Sequence, residues 1–254
     1  MSEFPGYAII GRGRWAKVMR EILTGEGRKV SLVEESRQRW GESDADHMAR
    51  LGAQLQATGA KIAWLCLPPG PHIPFLMQAA LDAGLHAVVE KPWLCTHGAT
   101  EMLAERASSF GLIAGIHYEF CLLDSVAAWH GHFENSEHLE FGARFLTSKP
   151  ARHDTQPIDD LGSHLFSIRE YAAPRAKVTE IECGYGMPDE RRAWLARAGK
   201  VLSAANFTLN REPIIQRFIA QFEQSATASG NFPFDLEFAM RVADATREWT
   251  SQPK

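Results

Sequence analysis

YAIIGRGRWAKVMREIL, residues 7–23, is the stretch on which the fold turns. Tyr7 to Ile10 reads as a short buried strand. Gly11-Arg12-Gly13-Arg14-Trp15-Ala16 then turns the chain, and Trp15, Val18, Met19, Ile22 and Leu23 recur at helical spacing until Gly25 and Gly27 close the segment. A glycine turn that leaves a strand and opens a helix is the context of the G-x-G-x-x-G/A dinucleotide fingerprint. Glycines permit a tight turn and close backbone approach, the free N–H groups of the helix start receive a pyrophosphate, and Ala16 in the third place still allows close helix packing. Glu34 ends the next apolar run, about 20 residues on, where a carboxylate accepts hydrogen bonds from an adenine ribose. An acidic group there repels a 2′-phosphate and favours NAD over NADP, although Arg37 is near enough to take a phosphate if the loop turns differently.

Outward from this stretch the same rhythm continues. Apolar runs at 30–33, 62–67, 87–89 and 112–116 alternate with helical patterns, of which Ile73 to Ala83, ended by Gly84, is the clearest. Right-handed crossovers of this kind give an α/β fold, a Rossmann-type doubly wound parallel sheet. Past Cys121 the rhythm changes. Strand candidates at Leu139–Leu146, Val178–Cys183 and Val201–Leu209 are joined by helical segments at Asp159–Tyr171, Pro213–Ala226 and Asp235–Glu248. Asp189–Ala198 reads as a charged helix with Arg191, Arg192 and Arg197 on its solvated face and Trp194 and Leu195 on its buried side. The expected organisation is a dinucleotide-binding domain over 1–120 and a smaller α+β domain over 121–254, with an open, mainly antiparallel sheet for substrate binding and oligomerisation.

Composition narrows the partners. In 254 residues, 45% hydrophobic, there is enough apolar material for a real core. A formal net charge of −4 provides no basic field for nucleic acid or an anionic membrane, and no run of about 18 apolar residues occurs, so a small-molecule ligand is expected. Cys66, Cys95, Cys121 and Cys183 are scattered, which fits a reducing, cytoplasmic setting. The N-terminus has no basic segment followed by an apolar run.

A second pattern is more specific than the glycine turn. Leu67-Pro68-Pro69-Gly70-Pro71-His72 leads into a helix, Ala83-Gly84 and a strand that ends Glu90-Lys91-Pro92. With Asp160 and His164 downstream as Asp-x-x-x-His, this order resembles the glucose-fructose oxidoreductase / inositol dehydrogenase (Gfo/Idh/MocA) family. The resemblance implies that Lys91 contacts the reacting oxygen, that His164 exchanges its proton, that Asp160 helps to hold the substrate, that His72 borders the nicotinamide, and that Pro68, Pro69 and Glu90 also contact the cofactor. It also implies hydride transfer to or from a sugar, cyclitol or related polyol, NAD or NADP as cofactor, and a homodimer or higher homo-oligomer formed through the open sheet face. The residues themselves suit that chemistry. A lysine at the C-terminal end of a parallel strand lies where doubly wound sheets bind ligands, its charge can polarise a carbonyl, and a histidine titrates near neutrality.

Departures from the family pattern direct attention to the substrate. The second domain is shortened, Gln156-Pro157-Ile158-Asp159 leads into the Asp-x-x-x-His helix in place of a glycine pair, and His117-Tyr118-Glu119-Phe120 replaces a region where an arginine is common. His117 and Tyr118, with Arg152 and His153 beside Asp154, are therefore candidate substrate contacts. His130 and His132, with Glu134 and His138 nearby, have metal-like spacing but read as an exposed loop, and no metal is expected. Reduction of an imine or conjugated system, or a non-catalytic cofactor-binding regulator, are the alternative functions.

Overall fold

The computed structural model describes residues 5–33, 38–151, 155–207, 212–228 and 230–252. It divides into two compact units, Met1–His117 with Ile219–Met240 and Tyr118–Phe218 with Arg241–Lys254.

The first unit is built on five parallel strands, β1 (Tyr7–Ile10), β2 (Val30–Val33), β3 (Ile62–Leu65), β4 (His86–Glu90) and β5 (Ala114–His117), in the order β2-β1-β3-β4-β5. The connections are α1 (Arg14–Gly25), α2 (Asp44–Ala57), α3 (His72–Asp82) and α4 (His97–Ser109). Strands β1, β3 and most of β4 are fully buried, as strands covered on both faces must be, and this is why they read as continuous apolar runs. The strand order reverses between β1 and β3, so the crevice at their C-terminal ends is the sheet's topological switch point.

The sequence reading assigns everything past residue 120 to the second domain, whereas residues 219–240 group with the first unit. The contacts explain it. Ile116 N–H donates to Phe234 O at 2.9 Å beside β5, and a Cβ on Gly115 would stand 2.5 Å from the Phe232 ring. At the far edge of the sheet Glu223 accepts from Arg28 Nε at 2.6 Å, from Arg28 Nη2 at 2.9 Å and from the Tyr7 hydroxyl at 2.8 Å.

The second unit carries a four-stranded sheet, β6 (Glu140–Thr147), β7 (Lys177–Tyr185), β8 (Glu190–Arg197) and β9 (Lys200–Asn206), in the order β7-β6-β8-β9. One of its three pairings is parallel and two are antiparallel. One face packs Phe141, Phe145, Ala193 and Leu195 against α5 (Asp124–Phe133) and α6 (Ser163–Ala172), with Trp129, Leu165 and Ile168 in the same core. On the other face Arg144 meets Glu180 at 2.7 Å, Glu182 at 3.2 Å and Glu190 at 3.7 Å. Helices α7 (Glu212–Ala228) and α8 (Leu236–Ser251) complete the chain.

Three local expectations are corrected. Asp189–Ala198 is not a helix: Glu190–Arg197 is β8, paired with β6 on one side and β9 on the other. Ala193 and Leu195 alternate into the core while Arg192 and Trp194 face the other way, a strand period that the helix-forming Ala, Leu and Arg residues mask. Trp194 is thus not on the buried side with Leu195, and the arginines do not share a helix face. His130 and His132 lie in the last turn of α5 rather than in a loop, where His130 stacks on Tyr171 at 4.5 Å. Asp160 lies in a π-helical turn, Ile158–Gly162, that precedes α6, so the predicted regular helix begins only at Ser163.

Candidate functional site

In the first unit the glycine turn is fixed by its neighbours. Gly11 follows β1 with φ +130°, and a Cβ there would stand 2.4 Å from Cys66 O, so the crossing of the two chains admits only glycine. Cys66 N–H donates to Ile10 O at 2.8 Å and carries the β1–β3 pairing into the turn. Gly13 caps α1 without a side chain, Lys17 N–H donates to Gly13 O at 3.2 Å, and a Cβ on Gly13 would meet nothing within 4 Å, which leaves open space before the helix start. Arg12 and Arg14 are exposed there, Ala16 is buried, and Trp15 is half-buried with a buried Nε1 that finds no acceptor among the described residues.

The next loop along the same edge follows β3. Pro68 is exposed, Pro69 half-buried, and His72 stands exposed as the first residue of α3, its imidazole packed over Gly70. β4 then ends on Glu90 with Lys91, half-buried, directly after it. Glu90 gathers side chains from both neighbouring strands. Trp64 Nε1 donates to Glu90 Oε1 at 2.8 Å, and His117 Nδ1 donates to the same oxygen from 3.1 Å. The Trp64 and His117 rings meet edge-on at 5.1 Å, and Trp15 lies 6.1 Å from His117. His117, expected as a substrate contact, is 0% exposed, and its ring is held by the Glu90 carboxylate at the end of β4. Burial, with the Glu90 charge second, also raises the Cys66 thiol well above its ordinary range.

In the second unit Asp160 and His164 are 3% and 2% exposed. Ser163 Oγ donates to Asp160 O at 2.9 Å and Ser167 Oγ to His164 O at 2.9 Å, bracing the junction of turn and helix. The Tyr185 hydroxyl, at the end of β7, donates to Asp160 Oδ2. The His164 ring lies between Phe120 at 4.6 Å and Phe145 at 5.5 Å, in a largely aromatic setting. Burial, aided by the Glu182 and Asp160 charges, pushes the Cys183 thiol up to about 12. Tyr118 is buried and its phenol is pushed up by desolvation.

Glu34, Arg37, Arg152, His153 and Asp154 lie outside the described residues. Two side chains escaped the sequence reading. Tyr185 lies just past the strand candidate Val178–Cys183, and extending that strand's alternation from Ile181 and Cys183 reaches it. Trp64 looks from sequence like any core residue of a buried strand.

The chain matches no protein-family model and no curated protein. Among solved structures it is similar to the UDP-N-acetylglucosamine 3-dehydrogenase GnnA from Acidithiobacillus ferrooxidans, with a TM-score of 0.76 at 14% identity over 98% of this chain and 97% of that one. It is also similar to the WlbA (WbpB) dehydrogenase from Thermus thermophilus in complex with NAD and UDP-GlcNAcA, with a TM-score of 0.73 at 13% identity over 98% and 95% of the two chains. A third is myo-inositol 2-dehydrogenase from Lactobacillus plantarum, with a TM-score of 0.72 at 11% identity over 96% of each chain. These likenesses establish the fold from end to end.

Proposed function

We propose that the chain is a nicotinamide-dependent oxidoreductase acting on a carbon that bears oxygen in a sugar, cyclitol or related polyol derivative. The observation that carries this reading is the Gly11 turn at the β1/β3 switch point, with Lys91 on the same edge of the sheet. The substrate class follows the similar structures, which are a UDP-sugar 3-dehydrogenase, a dehydrogenase holding NAD and a UDP-sugar acid, and an inositol dehydrogenase. NAD is favoured over NADP on Glu34.

The bound nicotinamide supplies or receives the hydride. The open N–H groups at the start of α1 would hold its pyrophosphate. In reduction the Lys91 ammonium polarises the carbonyl, and His164 gives its proton to the oxygen as the carbon is reduced. In oxidation His164 takes the hydroxyl proton while Lys91 stabilises the developing alkoxide. Asp160 orients the substrate, its second oxygen fixed by Tyr185.

The test uses NAD⁺ with UDP-N-acetylglucosamine and with myo-inositol, following NADH formation. Turnover by the wild type that Lys91→Met lowers by about 10³-fold or more, with NADH binding kept within twofold, is the expected result for loss of a preorganised charge at the developing oxyanion. Undiminished turnover in Lys91→Met refutes the assignment.

A further inference from the structure

The loop between β2 and α2 holds a tryptophan out in water. Trp40 is 104% exposed, the most exposed large apolar side chain among the described residues. Tryptophan ordinarily buries on the order of 150–250 Å². A loose loop would explain this, but the residues around Trp40 are tied. Gln38 Nε2 donates to Glu42 O at 2.8 Å and to Asp44 Oδ1 at 2.9 Å. Arg39 N–H donates to Glu42 Oε2 at 2.8 Å, and Arg50 grips the same carboxylate through Nε at 2.7 Å and Nη2 at 2.9 Å. Gly41 turns the chain at φ +75° directly after the indole, and Ser43 accepts from Asp46 N–H to start α2. The Arg50 guanidinium, with the Arg39 amide second, holds the Glu42 carboxyl at about 2, so these ties persist through neutral and mildly acidic conditions.

The sheet fixes where this loop lies. Val33, the last residue of β2, pairs with Ile10, the residue before the Gly11 turn, so the chain leaves β2 on the same edge as that turn. Near the start of α2, His47 packs on Phe75 of α3 at 4.7 Å, and α3 itself begins just after the Pro68-Pro69 turn on that edge. Residues 38–43 therefore border the ligand edge on the β2 side. A dinucleotide whose pyrophosphate sits on the first turn of α1 sends its adenosine over β2.

We propose that Trp40 is the platform on which the adenine ring of the dinucleotide stacks. The inference rests on the dinucleotide reading above and adds to it the residue that grips the base. Residues 38–43, tied in this way around a solvated indole, are preorganised for a flat π-face: stacking buries the exposed ring without disturbing these ties, and it needs no hydrogen-bond readout of the base.

The experiment titrates the intact protein with NADH, with NADPH, and with ADP-ribose or its 2′-phosphate according to which dinucleotide the wild type binds. Trp40→Ala is expected to weaken both the dinucleotide and the ADP-ribose fragment by at least about fivefold, the lower end of what base–aromatic stacking contributes. Trp40→Phe restores most of that loss, and both variants melt with the wild type because the side chain packs on none of the described residues. Equal fragment affinity in wild type and Trp40→Ala overturns the platform while the dinucleotide reading stands. A change in sedimentation mass without a change in fragment affinity assigns the indole to a contact between copies and overturns it equally. If the wild type binds neither NADH nor NADPH, the dinucleotide reading fails and the platform with it.

Discussion

A single hydrogen atom decides the first turn. Gly11 lies where β1 and the residue after β3 cross, and its φ of +130° with Cys66 O 2.4 Å from any added Cβ leaves a substituted chain two poor choices, backbone strain or separation of the strands. Gly11→Ala is expected to cost about 1–3 kcal/mol of folding stability, the scale of a residue held in a disfavoured conformation. It should also abolish dinucleotide binding, because the turn would shift away from the helix start. Urea unfolding and NADH titration check the two effects separately, and unchanged values in both contradict the assigned role. This glycine was legible because its requirement is local and the motif states it. The partners of Glu90 were not. A carboxylate read as a cofactor contact proves to hold Trp64 and His117, and those contacts depend on the register of three strands, which spacing along one strand does not reveal.

At the scale of elements, legibility followed periodicity. The parallel strands stood out because double burial makes them uniformly apolar, and α1 and α3 because their apolar positions recur at helical spacing and end on glycines. β8 was misread because Arg191-Arg192-Ala193-Trp194-Leu195-Ala196 has good helix formers and no clear alternation, and its strand state comes from pairing on both sides. The same pairing brings Glu180, Glu182 and Glu190 around Arg144, an arrangement that no single strand predicts. Because these groups are part-exposed, the cluster is worth little beyond a surface pair, and its value falls with salt. Arg144→Met, which leaves the three carboxylates facing one another, is expected to destabilise the protein by about 1 kcal/mol in dilute buffer and by less than half of that at about 1 M salt. A salt-independent loss in thermal melting would instead point to packing of the arginine stem.

Across the whole chain the two-part organisation was visible in the change of rhythm near residue 120, but the grouping of 219–240 with the first unit was not, since it rests on contacts such as Tyr7 to Glu223 that span 216 residues. That contact has a consequence for alkaline stability. Burial, then the Glu223 charge, raises the Tyr7 phenol far above its ordinary value of 10. In the unfolded chain the phenol ionises near 10 while the folded protein keeps its proton, so the folded state binds more protons and stability falls as pH rises. The contribution is complete below pH 10 and is lost progressively above it, by about 1.4 kcal/mol per pH unit for one retained proton. Burial also raises Tyr118 and Tyr171 and the thiols of Cys66, Cys95, Cys121 and Cys183, so the decline begins near the ordinary thiol value of 9 and steepens above 10. Tyr7→Phe keeps the ring in the core and both Arg28 bonds on Glu223, so it removes one proton from this balance without removing the packing. Denaturant unfolding from pH 8 to 11 should show the variant somewhat less stable at pH 8 and losing stability less steeply above pH 10, so that the two curves converge. Parallel curves would mean that the Tyr7 phenol ionises in the folded protein at its ordinary value and that the Glu223 cluster does not retain its proton.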